Sequence, residues 1–98
     1  MSPEKWQTLT LAQQMGNIGS EIARARHWEE RRDMKEKERA LERGFELMDL
    51  TLADPRWRKR LKELCRFREI MAAWFVNSRE YDVHPKFLEE FCIQLNLR

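Results

Sequence analysis

Three prolines divide this 98-residue chain, because each directly follows a residue that can cap a helix. The pairs are Ser2-Pro3, Asp54-Pro55 and His84-Pro85. Proline is favoured at the first position of a helix, since the amide hydrogen it lacks would have no partner there. A further start lies at Asp33, which has Glu36 three residues on, close to a capping box. The chain therefore predicts four helices, over about residues 3–31, 34–52, 55–76 and 85–96.

Apolar residues recur at spacings of three and four within these segments, which is the period of a helix with one buried face. In the first segment this row consists of Leu11, Met15, Ile18, Ile22 and Ala25. Beside it runs a row of small residues, which consists of Ala12, Gly16, Gly19 and Ala23. We expect the small row to let a neighbouring helix approach closely. The alternative is that its glycines only weaken the helix.

The connections between the first three segments are two or three residues long, and such short connections place consecutive helices antiparallel. With only 3 Gly and 3 Pro, the chain is too poor in turn residues for a β-sandwich or barrel. The expected fold class is all-α, an up-and-down antiparallel four-helix bundle that forms one domain over residues 1–98. The alternative is a continuous helix through the charged stretch 29–43.

The charge and hydropathy of the chain indicate its expected location in the cell and the partners it is not expected to have. The net charge is +2, so we expect no general affinity for nucleic acid. The longest apolar run, residues 71–76, is too short to cross a membrane, and no signal peptide opens the chain. We therefore expect a cytoplasmic protein that has no membrane contact and keeps Cys65 and Cys92 reduced and packed. Neither a cofactor nor a metal is expected, because no Cys/His cluster has zinc spacing and no glycine-rich loop is present.

Arg68 interrupts the apolar row of the third segment, which otherwise runs through positions 57, 61, 64, 71 and 75. A guanidinium on a buried face needs carboxylate partners, because an unpaired charge is costly to bury. The candidates are Glu21 and Asp49, and after them Glu46 and Glu69. One interpretation is a buried polar network that fixes the register of the helices. The other is a polar pocket for a small anionic or polar ligand.

Five cations surround Trp57 at the start of the third segment, namely Arg56, Arg58, Lys59, Arg60 and Lys62. Positive charges near the positive end of a helix dipole are unfavourable, so a bound anion would relieve them. With an aromatic side chain among them, they are candidates for contact with RNA or DNA. The alternative is a basic face that is simply solvated.

The stretch from Arg79 to His84 resembles the catalytic motif of HEPN-type ribonucleases. The resemblance implies that Arg79 holds the scissile phosphate and that His84 handles a proton, which suits an imidazole that titrates near neutral pH. Glu80 departs from the motif, because such enzymes usually carry an amide or another small polar residue there. The alternative is that His84 only caps the helix that Pro85 opens.

Several runs of the chain resemble a family of short bacterial and archaeal proteins that has no assigned activity. They include NIGSEI at 17–22, ALER at 40–43, DPRW at 54–57 and RLKEL at 60–64, and the resemblance covers about residues 6–91. Glu21, Asp49, Arg68 and Glu69 match charged positions of the family pattern. The architecture is similar to HEPN-like and ribosomal-RNA intervening-sequence four-helix bundles. The resemblance implies the fold and leaves the activity open.

Four tryptophans and five phenylalanines are more than so small a chain can easily bury, and surplus aromatic surface is typical of an interface. We therefore expect a non-enzymatic helical module that forms homo-oligomers or docks on a protein partner. The alternative is an RNA-binding protein or a HEPN-like ribonuclease, which would use the basic segment 56–62 and the pair Arg79 and His84. A small-ligand pocket around Arg68 is the third hypothesis.

Overall fold

The computed structural model of the chain describes residues 2–75, and every regular element in that range is helical. The elements are α1 (Pro3–Trp6), α2 (Leu11–Glu30), α3 (Met34–Leu52), a 3-10 helix (Pro55–Arg60) and α4 (Leu61–Phe75). The all-α class is therefore confirmed for these residues, and none of these helices is long and apolar enough to cross a membrane. The predicted helix over 85–96 lies outside the described residues, so the four-helix bundle stays a prediction.

The first predicted helix, over 3–31, is wrong as a single helix, because the chain leaves helical geometry between α1 and α2. Thr10 begins α2 with a full capping box. Its hydroxyl accepts from the Gln13 amide at 3.1 Å, and Gln13 Oε1 accepts from the Thr10 amide at 2.9 Å. The T-x-x-Q pattern at 10–13 is the sequence signal for this break.

The other boundaries follow the predicted caps. The predicted bounds 34–52 are those of α3, and Asp33 caps it by accepting from the Glu36 amide at 3.1 Å. A continuous helix through 29–43 is wrong, because Arg32 turns the chain with a φ of 59°. The segment predicted as a helix from residue 55 begins as a 3-10 helix, in which Trp57 departs from helical dihedral angles, with φ −101° and ψ 18°.

Contacts between side chains show that consecutive long helices run antiparallel. Glu21 on α2 pairs with Arg43 on α3, whereas Glu29, one end of α2, pairs with Lys37 near the start of α3. The chain reverses again before α4, because positions further along α4 contact positions further back along α3. The α3–α4 contacts that show this reversal are Asp49 with Arg68 and Phe45 with Phe75.

The core lies between the three long helices, and α1 contributes Trp6 to it. The predicted apolar row of α2 is confirmed, because all five of its members are buried. Trp6 is buried as well, although α1 is only four residues long, and its Nε1 donates to Thr51 Oγ1 at 3.0 Å. The buried apolar side chains are Trp6, Leu11, Met15, Ile18, Ile22, Ala25, Ala40, Leu41, Met48, Leu64, Phe67, Met71 and Trp74.

Aromatic side chains are not surplus surface within the described part of the chain. Trp6, Phe67 and Trp74 belong to the core, and the remaining tryptophans and phenylalanines of residues 2–75 are half-buried. Among these residues the exposed large hydrophobic side chain is that of Met34. The premise of exposed aromatic side chains is therefore wrong for residues 2–75, since each tryptophan and phenylalanine there is buried or half-buried.

A close approach of helices occurs at Gly44, which lies outside the small-residue row, and not at Gly16; for Gly19, the other glycine of that row, close packing stays a prediction. A Cβ at Gly44 would lie 3.2 Å from Met71 Cε and 3.6 Å from Glu21 Cβ. A Cβ at Gly16 would meet no atom within 4 Å, and Gly16 is exposed. The predicted close packing is therefore wrong at Gly16, because that face of α2 points away from α3.

We expect Gly44→Val to lower the free energy of unfolding by about 1–3 kcal/mol, because the branched side chain would overpack the contact with Met71 and Glu21. Gly16→Val is the matched control, since it adds the same side chain in open space on α2. Urea unfolding followed by circular dichroism measures both. Equal changes in stability for the two variants would contradict the assignment of the close approach to Gly44.

Candidate functional site

Arg68 lies at the edge of the α3–α4 contact and not on the buried face. The buried row of α4 consists of Leu64, Phe67, Met71 and Trp74, so it includes position 67 and not position 68. Arg68 Nε donates to Asp49 Oδ1 at 2.8 Å, and these side chains are 40% and 59% exposed. The predicted pairing of Arg68 with Asp49 is present, but the prediction that this pair is buried is wrong. The pair keeps both charges in water, which avoids the cost of desolvation.

Glu21 is the one member of the predicted buried network that the structure places in the interior, with 7% of the residue exposed. Its carboxylate accepts from Arg24 Nη1 on its own helix and from Arg43 Nε on α3, the latter at 3.0 Å. Glu69 is exposed, and within residues 2–75 it pairs neither with Arg68 nor with Arg43. The network around a buried Arg68 is therefore wrong, because Arg43 supplies the guanidinium that Glu21 needs. The hypothesis of a small-ligand pocket required a buried guanidinium at position 68, and the Arg68 side chain is not buried.

A second buried charge, which sequence reasoning missed, is Lys37 with 3% of the residue exposed. Its Nζ donates to Glu29 Oε1 at 2.9 Å and lies 5.2 Å from the centre of the Trp74 ring. Trp74 Nε1 donates to the same oxygen of Glu29 at 3.2 Å. The group joins α2, α3 and α4 near the α2–α3 turn. Its sequence signal is that Lys37 stands four residues before buried Leu41, on the same face of α3.

Asp54 carries the most heavily bonded carboxylate at the opposite end of the molecule, and only 2% of the residue is exposed. The Arg56 side chain donates to it from Nε at 3.1 Å and from Nη2 at 2.7 Å, and Gln14 Nε2 donates at 3.3 Å. The Arg56 amide donates to Oδ1 at 3.0 Å. These donors, and the Arg56 side chain above all, hold the pKa of Asp54 below its ordinary value of 3.8, against the opposite effect of burial.

The Asp54 cluster also ties down the segments around it. Arg56 Nη2 donates to the carbonyl of Leu9 at 2.7 Å, and its guanidinium stacks 4.4 Å from the centre of the Trp57 ring. Gln14 donates to the carbonyl of Trp6 at 2.9 Å and accepts from Trp57 Nε1 at 2.9 Å. One carboxylate therefore connects the N-terminal segment, α2 and the 3-10 helix.

These contacts divide the five predicted anion-binding cations into two groups. Arg56 is engaged by Asp54 and by the Leu9 carbonyl, and Arg60 lies 3.4 Å from Glu63 Oε2. The other three, Arg58, Lys59 and Lys62, are exposed and have no acidic partner in the part of the chain that the structure describes. We refer to these three together with Arg66 as the basic ridge.

Arg66 is the member of the basic ridge that sequence reasoning missed. It is exposed and stands four residues after Lys62, which places both side chains on one face of α4. Arg58 stands four residues before Lys62, so cations recur at a constant spacing from the 3-10 helix into α4. The repeat of a cation at positions 58, 62 and 66 is the signal that would have found it.

The remaining candidates fall into three groups. Arg79 and His84 lie outside the described residues, as does Cys92. Cys65 is a free thiol as predicted, but its predicted packing is wrong, because it is exposed on α4 beside Arg66. Residues 2–75 contain no group of three or more His, Cys, Asp or Glu side chains that could hold a metal ion.

Comparison with known proteins adds no assignment. No protein-family model, no curated protein and no solved structure matches the chain. The resemblances to a family of short bacterial and archaeal proteins and to HEPN-like bundles therefore stay predictions.

We expect Asp54→Asn to lower the free energy of unfolding by about 2 kcal/mol near neutral pH, because it removes charge-assisted hydrogen bonds from a buried group. A lowered pKa in the folded state means that the carboxylate stabilises the fold above the unfolded pKa, and that this contribution is lost as the pH falls through the folded value, below 3.8. The difference between the native chain and the variant should therefore shrink under acid conditions.

Asp49→Asn is the matched control, since Asp49 also pairs with an arginine but is exposed. We expect it to cost about 0.5 kcal/mol. Urea unfolding at about pH 7 and at about pH 3 measures both variants. A loss for Asp54→Asn that is the same at both pH values, or no larger than that of the control, would contradict the role given to Asp54.

Proposed function

We propose that the protein is a non-enzymatic binding module that docks on the phosphate backbone of RNA through the basic ridge. The observation that carries this proposal is the set of four exposed cations that have no acidic partner among the described residues. Elsewhere in residues 2–75, the arginines at positions 24, 39, 43, 56, 60 and 68 lie within ion-pair distance of a carboxylate. Some other exposed cations, Lys5, Arg31, Arg32 and Lys35, also have no such partner among the described residues. The basic ridge is the longer run, because it places four unpaired cations within residues 58–66 of a chain whose net charge is only +2.

The spacing of the basic ridge supports a regular polyanion as its partner. Lys62 and Arg66 are separated by about 6 Å along the axis of α4. Arg58 lies in the 3-10 helix, which rises about 2 Å per residue, so the row from Arg58 to Arg66 spans about 13 Å. One strand of a nucleic acid carries about three or four phosphates over that length. A row of phosphates along one strand can therefore meet successive cations of the ridge, which supports a nucleic-acid backbone as the partner.

The position of the basic ridge also supports the binding of an anion. Arg58 and Lys59 precede the first turn of α4, and Lys62 lies within it, so they add positive charge where the helix dipole is already positive. Phosphates near these side chains would offset a repulsion that the folded chain otherwise carries. Asp54, which could have neutralised part of this charge, is occupied by Arg56.

Self-association or docking on a protein partner is the second candidate. The observation that favours it is the open face of α2, where Ala12 and Gly16 are exposed and a Cβ at Gly16 would meet nothing within 4 Å. A second helix could approach closely there. The HEPN-like ribonuclease alternative depends on Arg79 and His84, which lie outside the described residues, and the four-helix bundle depends on the same part of the chain. Both stay predictions.

For the first candidate, we expect the double variant Arg58→Glu with Lys62→Glu to weaken binding of a mixed-sequence RNA by at least about tenfold, because two phosphate contacts become repulsive. The matched control is Arg31→Glu with Lys35→Glu, which makes the same change in net charge at exposed positions of the α2–α3 turn. Fluorescence anisotropy at low salt measures the affinities, and circular dichroism confirms that each variant is folded.

The control variant should bind within about threefold of the native chain, apart from a small effect of net charge. Absence of RNA binding by the native chain at low salt would overturn the proposal. An equal loss of affinity in the two double variants would overturn it as well, since it would show a response to net charge and not to the basic ridge.

For the second candidate, we expect Gly16→Arg to shift a self-associating chain toward the monomer, because the large charged side chain would block the open face of α2. Light scattering over a range of concentrations measures the mass of the native chain and of the variant. A native chain that is strictly monomeric at high concentration removes self-association. If Gly16→Arg forms the same oligomers as the native chain, the contact between copies does not involve the open face of α2.

A further inference from the structure

The basic ridge contains charge and almost nothing else that could read a base. Proteins that distinguish bases in single strands stack them on aromatic side chains and bond their edges with amides or other polar groups. Within the ridge segment 58–66 the side chains other than the four cations are Arg60, Leu61, Glu63, Leu64 and Cys65. Leu64 is buried, and Arg60 and Glu63 contact each other. Neither an aromatic ring nor an amide side chain stands among them.

Two aromatic residues flank the basic ridge in the chain, Trp57 and Phe67. Phe67 is fully buried, and the Asp54 cluster holds Trp57 away from a base. One face of its ring is covered by the Arg56 guanidinium at 4.4 Å. Its Nε1 is bonded to Gln14 Oε1 at 2.9 Å, and the residue is half-buried against the core. A base that stacked on this face would have to displace Arg56 from Asp54, where the guanidinium donates three hydrogen bonds to the carboxylate.

Gln14, the amide that contacts both Asp54 and Trp57, is equally committed. Gln14 is buried, and both ends of its side chain are used, by the Trp6 carbonyl and Asp54 on one side and by Trp57 on the other. Recognition of the ribose 2′-hydroxyl also profits from an acceptor. Glu63, the one carboxylate within segment 58–66, is paired with Arg60.

From these contacts we infer that the binding reads the phosphate backbone alone, so that single-stranded RNA and DNA of any base composition are bound alike. This inference rests on the proposed function and names its substrate class. Glu69 follows Arg66 on α4 and ends the run of cations. Four cations contact at most about four phosphates, which corresponds to a slope of log K against log salt concentration of about −3 for a single strand.

The test uses the full chain and four labelled oligonucleotides of equal length: oligouridylate, oligoadenylate, oligothymidylate and a mixed RNA that contains guanine. Fluorescence anisotropy gives the dissociation constants and, for oligouridylate, their dependence on salt. We expect the four constants to agree within about threefold and the salt slope to lie near −3. A preference of more than about tenfold for a base or for ribose overturns the inference, and so does a slope near zero.

The outcomes separate the two claims. Absence of binding to all four oligonucleotides at low salt contradicts the proposed function itself. Binding with a strong base or sugar preference agrees with the proposed function and overturns only this inference. Trp57→Leu gives a second measurement. We expect it to bind oligouridylate within about threefold of the native chain, and a loss of more than about tenfold in a variant that is folded by circular dichroism would show that Trp57 stacks on bases.

Discussion

The carboxylate of Asp54 is almost fully buried, and the end of the molecule around it is arranged so that it stays charged. A buried carboxylate is stable only when donors replace the water it has lost. Arg56 and Gln14 supply those donors, and each of them also holds a second segment, the first through the Leu9 carbonyl and the second through Trp6 and Trp57. The N-terminal segment, α2 and the 3-10 helix therefore depend on one anion. Arg56 turns toward this anion, whereas Arg58 and Lys59, which follow it in the chain, face solvent.

Three ion pairs elsewhere in the described fold join one helix to another. Glu21 with Arg43, and Glu29 with Lys37, join α2 to α3 at two levels, and Asp49 with Arg68 joins α3 to α4. Each pair either lies in water or gains a further contact when it is buried, as Glu29 does from Trp74. On the basic ridge the four cations have no such partners among the described residues. That difference, and not the overall charge of the chain, distinguishes a candidate binding surface from structural ion pairs.

Much of the local structure could be predicted because it depends on neighbours in the chain. The start of α3 at Asp33 and the buried row of α2 follow from capping and from spacing alone. Positions that depend on how the helices are rotated against each other could not. On α4, a row through 67 and a row through 68 both include Leu64 and Met71, and only the burial of Phe67 against the core decides that Arg68 lies at the edge. Similarly, the register of α2 against α3 selects Gly44 as the point of contact, and the burial of Asp54 removes Arg56 from the candidate site.

The central claim is that the polar contacts of residues 2–75 hold the fold together, whereas the basic ridge is left to contact a partner. The most direct test is a titration of the isotope-labelled chain with oligouridylate, followed through the amide chemical shifts of each residue. The account predicts that, within residues 2–75, the largest shift changes fall between Arg58 and Arg66, with little change in the α2–α3 turn. Changes centred on the open face of α2 or on that turn, with residues 58–66 unaffected, would contradict it.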